Sequence, residues 1–295
     1  MPKLAILGCG YVGRAVLERA LACGWQVSTL TRNPETAASL RALGAAVIEA
    51  ELDSASWHGT LDPEQDMVLN CVSSAGGGLP GYEKSYVNGM RSLSDWAARG
   101  KVGTVVYTSA TSVYPQSDGS WVTEASSTEG ASPNGQYLLQ SEAVLAAAPV
   151  GRWFTLRLAG IYGLGRHFFL DRLRAGETHF SGSPDTYLNL IFLEDIVSAI
   201  EAVFASGLEV RNRIYNLADG NPAPRGEMLR WLAQEVGSAA PTFEAELAGK
   251  RDAGRRSAAG AMPNRRVSIE RIGTEYGWQP KFKDYQAGFT HLLQS

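Results

Sequence analysis

The sequence predicts a doubly wound α/β fold, in which a parallel sheet carries helices on both faces. Short runs rich in apolar and β-branched residues alternate with helical patterns as far as Leu158, and strands separated by helices in this way imply βαβ units. A glycine-rich turn follows the first of these strands and opens the first helix. With 295 residues, of which 44% are hydrophobic, the chain can bury the large core that such a fold needs.

The first half of the chain contains the regular alternation. Strands are predicted at Lys3–Leu7, Gln26–Thr31, Ala46–Ala50, Gln65–Val72, Thr104–Ser109 and Arg152–Leu158, and helices at Tyr11–Cys23, Glu35–Leu43, Tyr86–Arg99 and within Ala131–Ala148. A glycine-rich loop is expected at Gly76–Gly81. In folds of this kind, ligands bind at the carboxyl ends of the strands.

The alternation becomes less regular after Gly163. Helices are predicted at Phe168–Ala175, Leu193–Phe204, Arg225–Val236, Ile269–Tyr276 and Tyr285–Leu293, and a strand at Arg213–Leu217. No linker separates the two halves. We therefore expect a doubly wound, Rossmann-type domain at residues 1–163 and a smaller α/β lobe at 164–295, which is intertwined with the first and does not fold alone.

Charge and composition argue against several classes of partner. The net charge of −3 gives no electrostatic reason to expect nucleic acid or an anionic membrane as a partner. Three scattered cysteines and four dispersed histidines match no disulfide framework and no metal site. No signal peptide and no apolar run of about 20 residues are visible, so a cytoplasmic protein is expected. The basic stretch from Lys250 to Arg256 is either a solvated loop or a loop that meets an anionic substrate.

The turn Gly8-Cys9-Gly10-Tyr11-Val12-Gly13 has the spacing and context of a dinucleotide-binding fingerprint. Gly8 permits a tight turn, Gly10 lets a pyrophosphate approach the backbone, and Gly13 lets the helix pack close to the strand. The helix N-terminus then offers backbone N–H groups to the phosphates. The turn predicts a dinucleotide site.

The end of the second strand indicates which dinucleotide is bound. A site for NAD usually has an acidic residue there for the ribose hydroxyls, whereas this strand ends in Leu30-Thr31-Arg32-Asn33. The planar guanidinium of Arg32 can pair with a 2′-phosphate. NADP is therefore favoured over NAD, and a surface role for Arg32 at the strand end is the alternative.

Later segments resemble one family over nearly the whole chain. The segment Val105–Tyr114 resembles the strand end of the extended short-chain dehydrogenase/reductases, the NAD-dependent epimerase/dehydratase-like proteins. Further similar segments follow in the same order, at Arg157–Gly163, Asn189–Asp195, Tyr215–Asp219 and Asn264–Ser268.

The resemblance implies a set of residues that line the cofactor. They are Gly8, Gly10, Tyr11, Val12 and Gly13 at the phosphates, Thr31 and Arg32 at the adenosine ribose, Glu51 and Leu52 at adenine, Cys71, Val72 and Ser73 past the fourth strand, Thr108 and Ser109 at the end of the fifth, and Ala159, Gly160 and Ile161 behind the nicotinamide.

The catalytic pair of the family is missing. The family uses a Tyr with a Lys four residues later, whose positive charge lowers the pKa of the phenol. Anchored on Tyr137, the lysine position holds Ser141; anchored on the flanking residues, Asn134 replaces the Tyr and Leu138 the Lys. The chain thus resembles the atypical branch that lacks Tyr-x-x-x-Lys. Its catalytic residues are unknown, with Ser109, Tyr114 and Tyr137 as candidates.

Two functions follow from the resemblance. The favoured one is an NADP-dependent epimerase, dehydratase or other oxidoreductase that acts on a polar small molecule bearing a hydroxyl or keto group through a non-standard active site. The alternative is a catalytically inactive NADP-binding redox sensor or regulatory protein. A homodimer is also compatible with the resemblance, through the helices at Tyr86–Arg99 and Pro133–Ala148.

Overall fold

A computed structural model describes residues 1–74, 77–244, 256–257 and 260–295. Its strands are β1 (Lys3–Leu7), β2 (Gln26–Thr31), β3 (Ala46–Glu49), β4 (Gln65–Asn70), β5 (Val102–Ala110), β6 (Trp121–Val122), β7 (Arg152–Leu158), β8 (Gly160–Tyr162), β9 (His179–Ser181), β10 (Tyr187–Leu188), β11 (Leu190–Phe192), β12 (Arg213–Leu217), β13 (Ala223–Pro224), β14 (Thr242–Glu244) and β15 (Arg266–Val267). Its α-helices are α1 (Tyr11–Ala22), α2 (Pro34–Ala42), α3 (Gly78–Tyr82), α4 (Gly89–Ala97), α5 (Pro133–Ala146), α6 (Phe168–Arg174), α7 (Leu193–Ala205), α8 (Arg225–Glu235), α9 (Glu270–Tyr276) and α10 (Tyr285–Gln294).

Seven strands form the central sheet, in the order β12-β7-β5-β4-β1-β2-β3. β1 pairs in parallel with β2 on one side and with β4 on the other, and the pairs β2–β3 and β4–β5 are also parallel. The chain reverses its direction of progress across the sheet between β3 and β4, which creates a switch point beside β1. The predicted doubly wound α/β fold is confirmed.

Local sequence explains why the helices form where they do. α1 buries Val12, Val16 and Leu17 on one face at helical spacing. α2 begins where the side chain of Asn33 accepts a hydrogen bond from the Thr36 N–H, with proline at the first helical position. The predicted long strands and helices of the chain all have counterparts. The strands at Lys3–Leu7, Gln26–Thr31, Arg152–Leu158 and Arg213–Leu217 have the predicted bounds, and the other elements differ by one to a few residues at their ends.

Most of the loop predicted at Gly76–Gly81 is helical in the structure, from Gly78 onward. α3 begins at Gly78, a π-helical segment follows at Glu83–Asn88, and α4 continues from Gly89. Glycine is a poor helix former, but here small size is what matters, because a Cβ on Gly81 would lie 3.0 Å from the backbone oxygen of Ser74. The glycines let the helix pack close to the backbone of Ser74. The prediction of a loop rested on the glycine content alone and did not take such packing into account.

The short strands were also missed, because segments of two or three residues carry no readable periodicity. β8 pairs in parallel with β11, and β9 pairs in parallel with β14. β10 and β13 form an antiparallel pair.

Two compact units contain the described chain. The first comprises residues 1–110, 134–157 and 197–215, and the second 111–133, 158–196 and 216–295. Trp57 and Trp96 lie in the core of the first unit, and Tyr162, Phe180 and Phe289 in that of the second. Each unit draws on several chain segments; the domain division at residue 163 stays a prediction. Among the described residues, no helix combines the length and hydrophobicity that crossing a membrane requires.

The carboxyl group of Asp219, in the second unit, makes stability depend on pH. Burial raises its pKa to about 8, and the charges of Asp284 and Asp195 act in the same direction. The unfolded chain loses this proton near its ordinary value of about 3.9. Because the folded chain holds a proton that the unfolded chain releases, stability should fall as pH rises from about 4 to about 8.

We therefore expect Asp219→Asn to flatten this dependence. The measurement is the melting temperature at several values across that pH range, for the wild type and for the variant. The oxygen of the substituted amide side chain can still accept the N–H of Asn221 that Asp219 accepts now. An equal fall in both proteins would contradict the assignment.

Candidate functional site

The glycine turn between β1 and α1 is held in a conformation that its first glycine makes possible. Gly8 has a φ of +89°, and its N–H donates to the backbone oxygen of Leu30 at 3.1 Å. A Cβ on Gly8 would lie 2.7 Å from the backbone of Val72. Both facts exclude larger residues, so Gly8 fixes the path of the chain from β1 into the turn.

The other two glycines have different environments. A Cβ on Gly13 would lie 2.7 Å from the Gly8 backbone oxygen and 2.8 Å from Cys71 Sγ, whereas a Cβ on Gly10 would meet nothing within 4 Å. Gly13 therefore serves the packing of α1 against the turn. Gly10 lines open space, and no packing within the described chain requires a glycine there.

The start of α1 can hold an anion. Among the described residues, no side chain caps the helix at Gly10 and no acidic residue lies in its first turn. The N-terminal end of a helix carries a partial positive charge and N–H groups that suit phosphate. The open space at Gly10 and this helix end together fit the pyrophosphate of a dinucleotide.

Two thiols, that of Cys9 within the turn and that of Cys71 beside it, are uncharged. Burial raises the pKa of Cys9 to about 11 and that of Cys71 well above its usual range. The Cys71 S–H donates to the Gly8 oxygen at 3.0 Å. At neutral pH neither thiol opposes an anion at the helix end, and Cys71 supports the turn from below.

Three charged side chains meet past the ends of β2 and β3. Arg32 Nη1 lies 3.9 Å from Glu51 Oε1, and the ammonium of Lys84 donates a hydrogen bond to Glu51 Oε2. All three side chains are about half exposed. The hydrogen bond from Lys84 lowers the pKa of Glu51. Sequence reasoning missed Lys84, because its position depends on the helix that starts at Gly78 where a loop was predicted.

The remaining residues predicted around adenine and ribose differ in exposure. Leu52 is buried and lies against Gly89 of α4, so its side chain belongs to the core. Thr31 accepts the N–H of Asn33 at 3.3 Å. Val72 is half-buried and Ser73 is exposed.

A buried ion pair supports the end of β5. Arg157 Nη2 donates to Glu142 Oε2 at 2.6 Å and its Nε donates to Oε1 at 3.1 Å. The side chains of Arg157 and Glu142 are only 5% and 7% exposed. The Ser109 hydroxyl donates to Glu142 Oε1 at 2.7 Å, and Thr108 donates to the Asn70 backbone oxygen at 3.4 Å. The candidate Ser109 is thus held by a charged network that spacing alone did not reveal.

Both positions that correspond to the family lysine are buried in helix α5. Leu138 lies in the core, and the hydroxyl of Ser141 donates to the Tyr86 backbone oxygen at 3.0 Å. Tyr137, on the same helix, is half-buried. One helical turn after Tyr137, α5 has Ser141 in place of a lysine.

The remaining candidates belong to the second unit. Tyr114 is fully buried and its hydroxyl donates to Asn216 Oδ1 at 2.8 Å, which argues against a role as proton donor to a ligand. Gly160 and Ile161 lie in β8, and Ala159 donates to the Leu217 oxygen at 2.9 Å. Of the basic stretch from Lys250 to Arg256, all but Arg256 falls outside the described residues. The described part of the chain contains no group of three or more histidine, cysteine, aspartate or glutamate side chains suited to a metal ion.

Known proteins resemble the chain over most of its length. Residues 4–218 match the NAD dependent epimerase/dehydratase family. Protein YeeZ of Escherichia coli (strain K12) is 29% identical over 290 residues, which cover 96% of this chain and 97% of YeeZ. A conserved protein of unknown function from Silicibacter pomeroyi has 25% identity and a TM-score of 0.79, with 100% of this chain and 99% of that chain covered.

One further structure is similar in fold. The Bordetella bronchiseptica enzyme WbmG, solved in complex with NAD, has a TM-score of 0.81 at 20% identity, with 99% of this chain and 93% of that chain covered. At this identity the likeness shows the fold alone. Since the family match spans residues 4–218 of a chain of 295, the protein belongs to the NAD dependent epimerase/dehydratase family.

Proposed function

We propose that the protein binds NADP(H) at the turn between β1 and α1. We further propose that it is an oxidoreductase of the epimerase/dehydratase type, acting on a polar small molecule with a hydroxyl or keto group. The observation that carries the proposal is the open space at Gly10, in a turn whose other two glycines are required by packing. The NAD in the structure of WbmG supports a dinucleotide in this fold.

Different residues of the first unit would bind different parts of the dinucleotide. The N-terminal end of α1 would receive the pyrophosphate, with Gly8, Gly10 and Gly13 shaping the backbone around it. Arg32 would pair with a 2′-phosphate through its planar set of donors. The neutral thiols of Cys9 and Cys71 add no negative charge beside the phosphates.

A bound nicotinamide would supply the hydride acceptor or donor. Ser109 directs its proton to Glu142, so the free lone pairs on Oγ can accept a hydrogen bond from a ligand hydroxyl. We propose that Ser109 orients a ligand and does not transfer a proton, because its own hydrogen bond is directed to Glu142, which Arg157 also holds in place. The half-buried Tyr137 is the proposed proton donor.

The cofactor assignment predicts a selective loss in Arg32→Ala. Removing a charge-assisted bond to the 2′-phosphate should weaken NADPH binding about tenfold, whereas NADH lacks that phosphate and should be little affected. Titration of each dinucleotide, followed by the fluorescence of the reduced nicotinamide, measures both dissociation constants. Equal losses for the two cofactors would refute the assignment.

A non-enzymatic NADP-binding protein is the second candidate. It is favoured by the lack of a cation at both lysine positions of α5, which hold the buried residues Leu138 and Ser141. Consumption of NADPH over a panel of aldehydes, ketones and keto-sugars distinguishes the two. Turnover that falls in Tyr137→Phe supports the enzyme and its proton donor, and tight binding of NADPH without turnover of any compound supports the sensor.

A further inference from the structure

The second cation beside Arg32 comes from a part of the chain far away in sequence. Lys84 lies in the π-helical segment Glu83–Asn88, between α3 and α4. Segments of this kind are frequent at functional sites. The ammonium of Lys84 contacts one carboxylate oxygen of Glu51, and the guanidinium of Arg32 contacts the other. Two cations therefore converge on a single anion at the place where the adenosine ribose is proposed to lie.

The charges of this trio affect one another. Glu51 raises the pKa of Lys84 through their hydrogen bond, Asp53 and Glu51 add attraction, and Arg32 acts in the opposite direction by repulsion. Lys84 and Arg32 in turn hold the pKa of Glu51 below its usual value. With the ordinary charges of lysine, arginine and glutamate at neutral pH, the trio carries one net positive charge. The two cations are separated by Glu51, which neutralises part of the field they would present to a phosphate.

We propose that Lys84 and Arg32 together select the 2′-phosphate of NADP(H), and that Glu51 is an internal counter-anion that the phosphate must displace. The inference rests on the proposed function. A phosphate dianion is repelled by Glu51 but gains charge-assisted bonds from both cations. A ribose 2′-hydroxyl can instead donate to the Glu51 carboxylate. Lys84 thus raises the preference for NADP(H), and Glu51 lowers it.

Two ligands that differ only in the 2′-phosphate test this directly. Adenosine 2′,5′-bisphosphate and adenosine 5′-monophosphate are titrated calorimetrically into the full chain, as wild type, Lys84→Gln and Glu51→Gln. Lys84→Gln should weaken the bisphosphate about five- to tenfold and leave the monophosphate unchanged. Glu51→Gln should tighten the bisphosphate about threefold. Melting curves establish that each variant is folded.

A matched control is Lys101→Gln. Lys101 is an exposed lysine of the same unit and lies just before β5, at the groove by the amino ends of the strands. Its replacement should change the affinity for neither the bisphosphate nor the monophosphate. This inference alone would be overturned if the wild type prefers the bisphosphate and both Lys84→Gln and Glu51→Gln keep the same preference. A wild type that binds neither nucleotide and neither NADPH nor NADH would overturn the proposed function as well. Tighter binding of the bisphosphate in Lys84→Gln would also contradict the role assigned to Lys84.

Discussion

Replacement of Gly10 by alanine is expected to remove most dinucleotide binding while leaving the protein folded. The new methyl group meets no atom within 4 Å, and the φ of Gly10 is −86°, which an L-residue adopts without left-handed strain. The same methyl group would occupy the space proposed for the pyrophosphate. Steric overlap of this kind costs about 1–3 kcal/mol, which corresponds to a loss of roughly 5- to 150-fold in affinity.

Gly59→Ala is the matched control for this experiment. Gly59 is exposed, and a Cβ there also meets nothing within 4 Å. Titration with NADPH and thermal melting of both variants separate binding from stability. Unchanged affinity in Gly10→Ala would place the dinucleotide elsewhere. Gly8→Ala, by contrast, should destabilise the fold itself, because its positive φ and the backbone of Val72 both exclude a side chain.

Removal of one partner of the buried pair should produce the largest loss of stability. Arg157→Leu leaves the carboxylate of Glu142 buried without its cation, and the free energy of unfolding should fall by about 3–5 kcal/mol. Of Arg157 and Ser109, which both donate hydrogen bonds to Glu142, only Ser109 would still do so in the variant. Urea unfolding, followed by tryptophan fluorescence, measures the effect.

A second variant shows whether the uncompensated charge is the cause. In the double variant Glu142→Leu/Arg157→Leu both charges are gone, and most of the lost stability should return. The exposed pair of Arg41 and Glu49, with a distance of 2.8 Å, provides the comparison. Arg41→Leu should change the free energy of unfolding by less than about 1 kcal/mol. Losses of equal size in Arg41→Leu and Arg157→Leu would contradict the argument.

The long elements of the fold could be predicted because their information is local. Each βαβ unit repeats a buried apolar run, a turn and an amphipathic helix, and α2 also carries its own capping residue in Asn33. The glycine turn was readable for the same reason, since Gly8, Gly10 and Gly13 lie within six residues of sequence. The short strands were not readable, because their pairing depends on partners distant in the chain.

The sequence by itself determined the α/β class, the glycine turn and the absence of a lysine four residues after Tyr137. The tertiary structure alone showed that Gly13 is required by packing while Gly10 lines open space, and that Lys84 reaches Glu51 and Arg32. It also joined Ser109, Glu142 and Arg157, which come from a strand, a helix and another strand. The physical reason is range: backbone propensity and side-chain periodicity act over a few residues, whereas a charge or a steric contact acts on whatever the fold brings within a few ångströms.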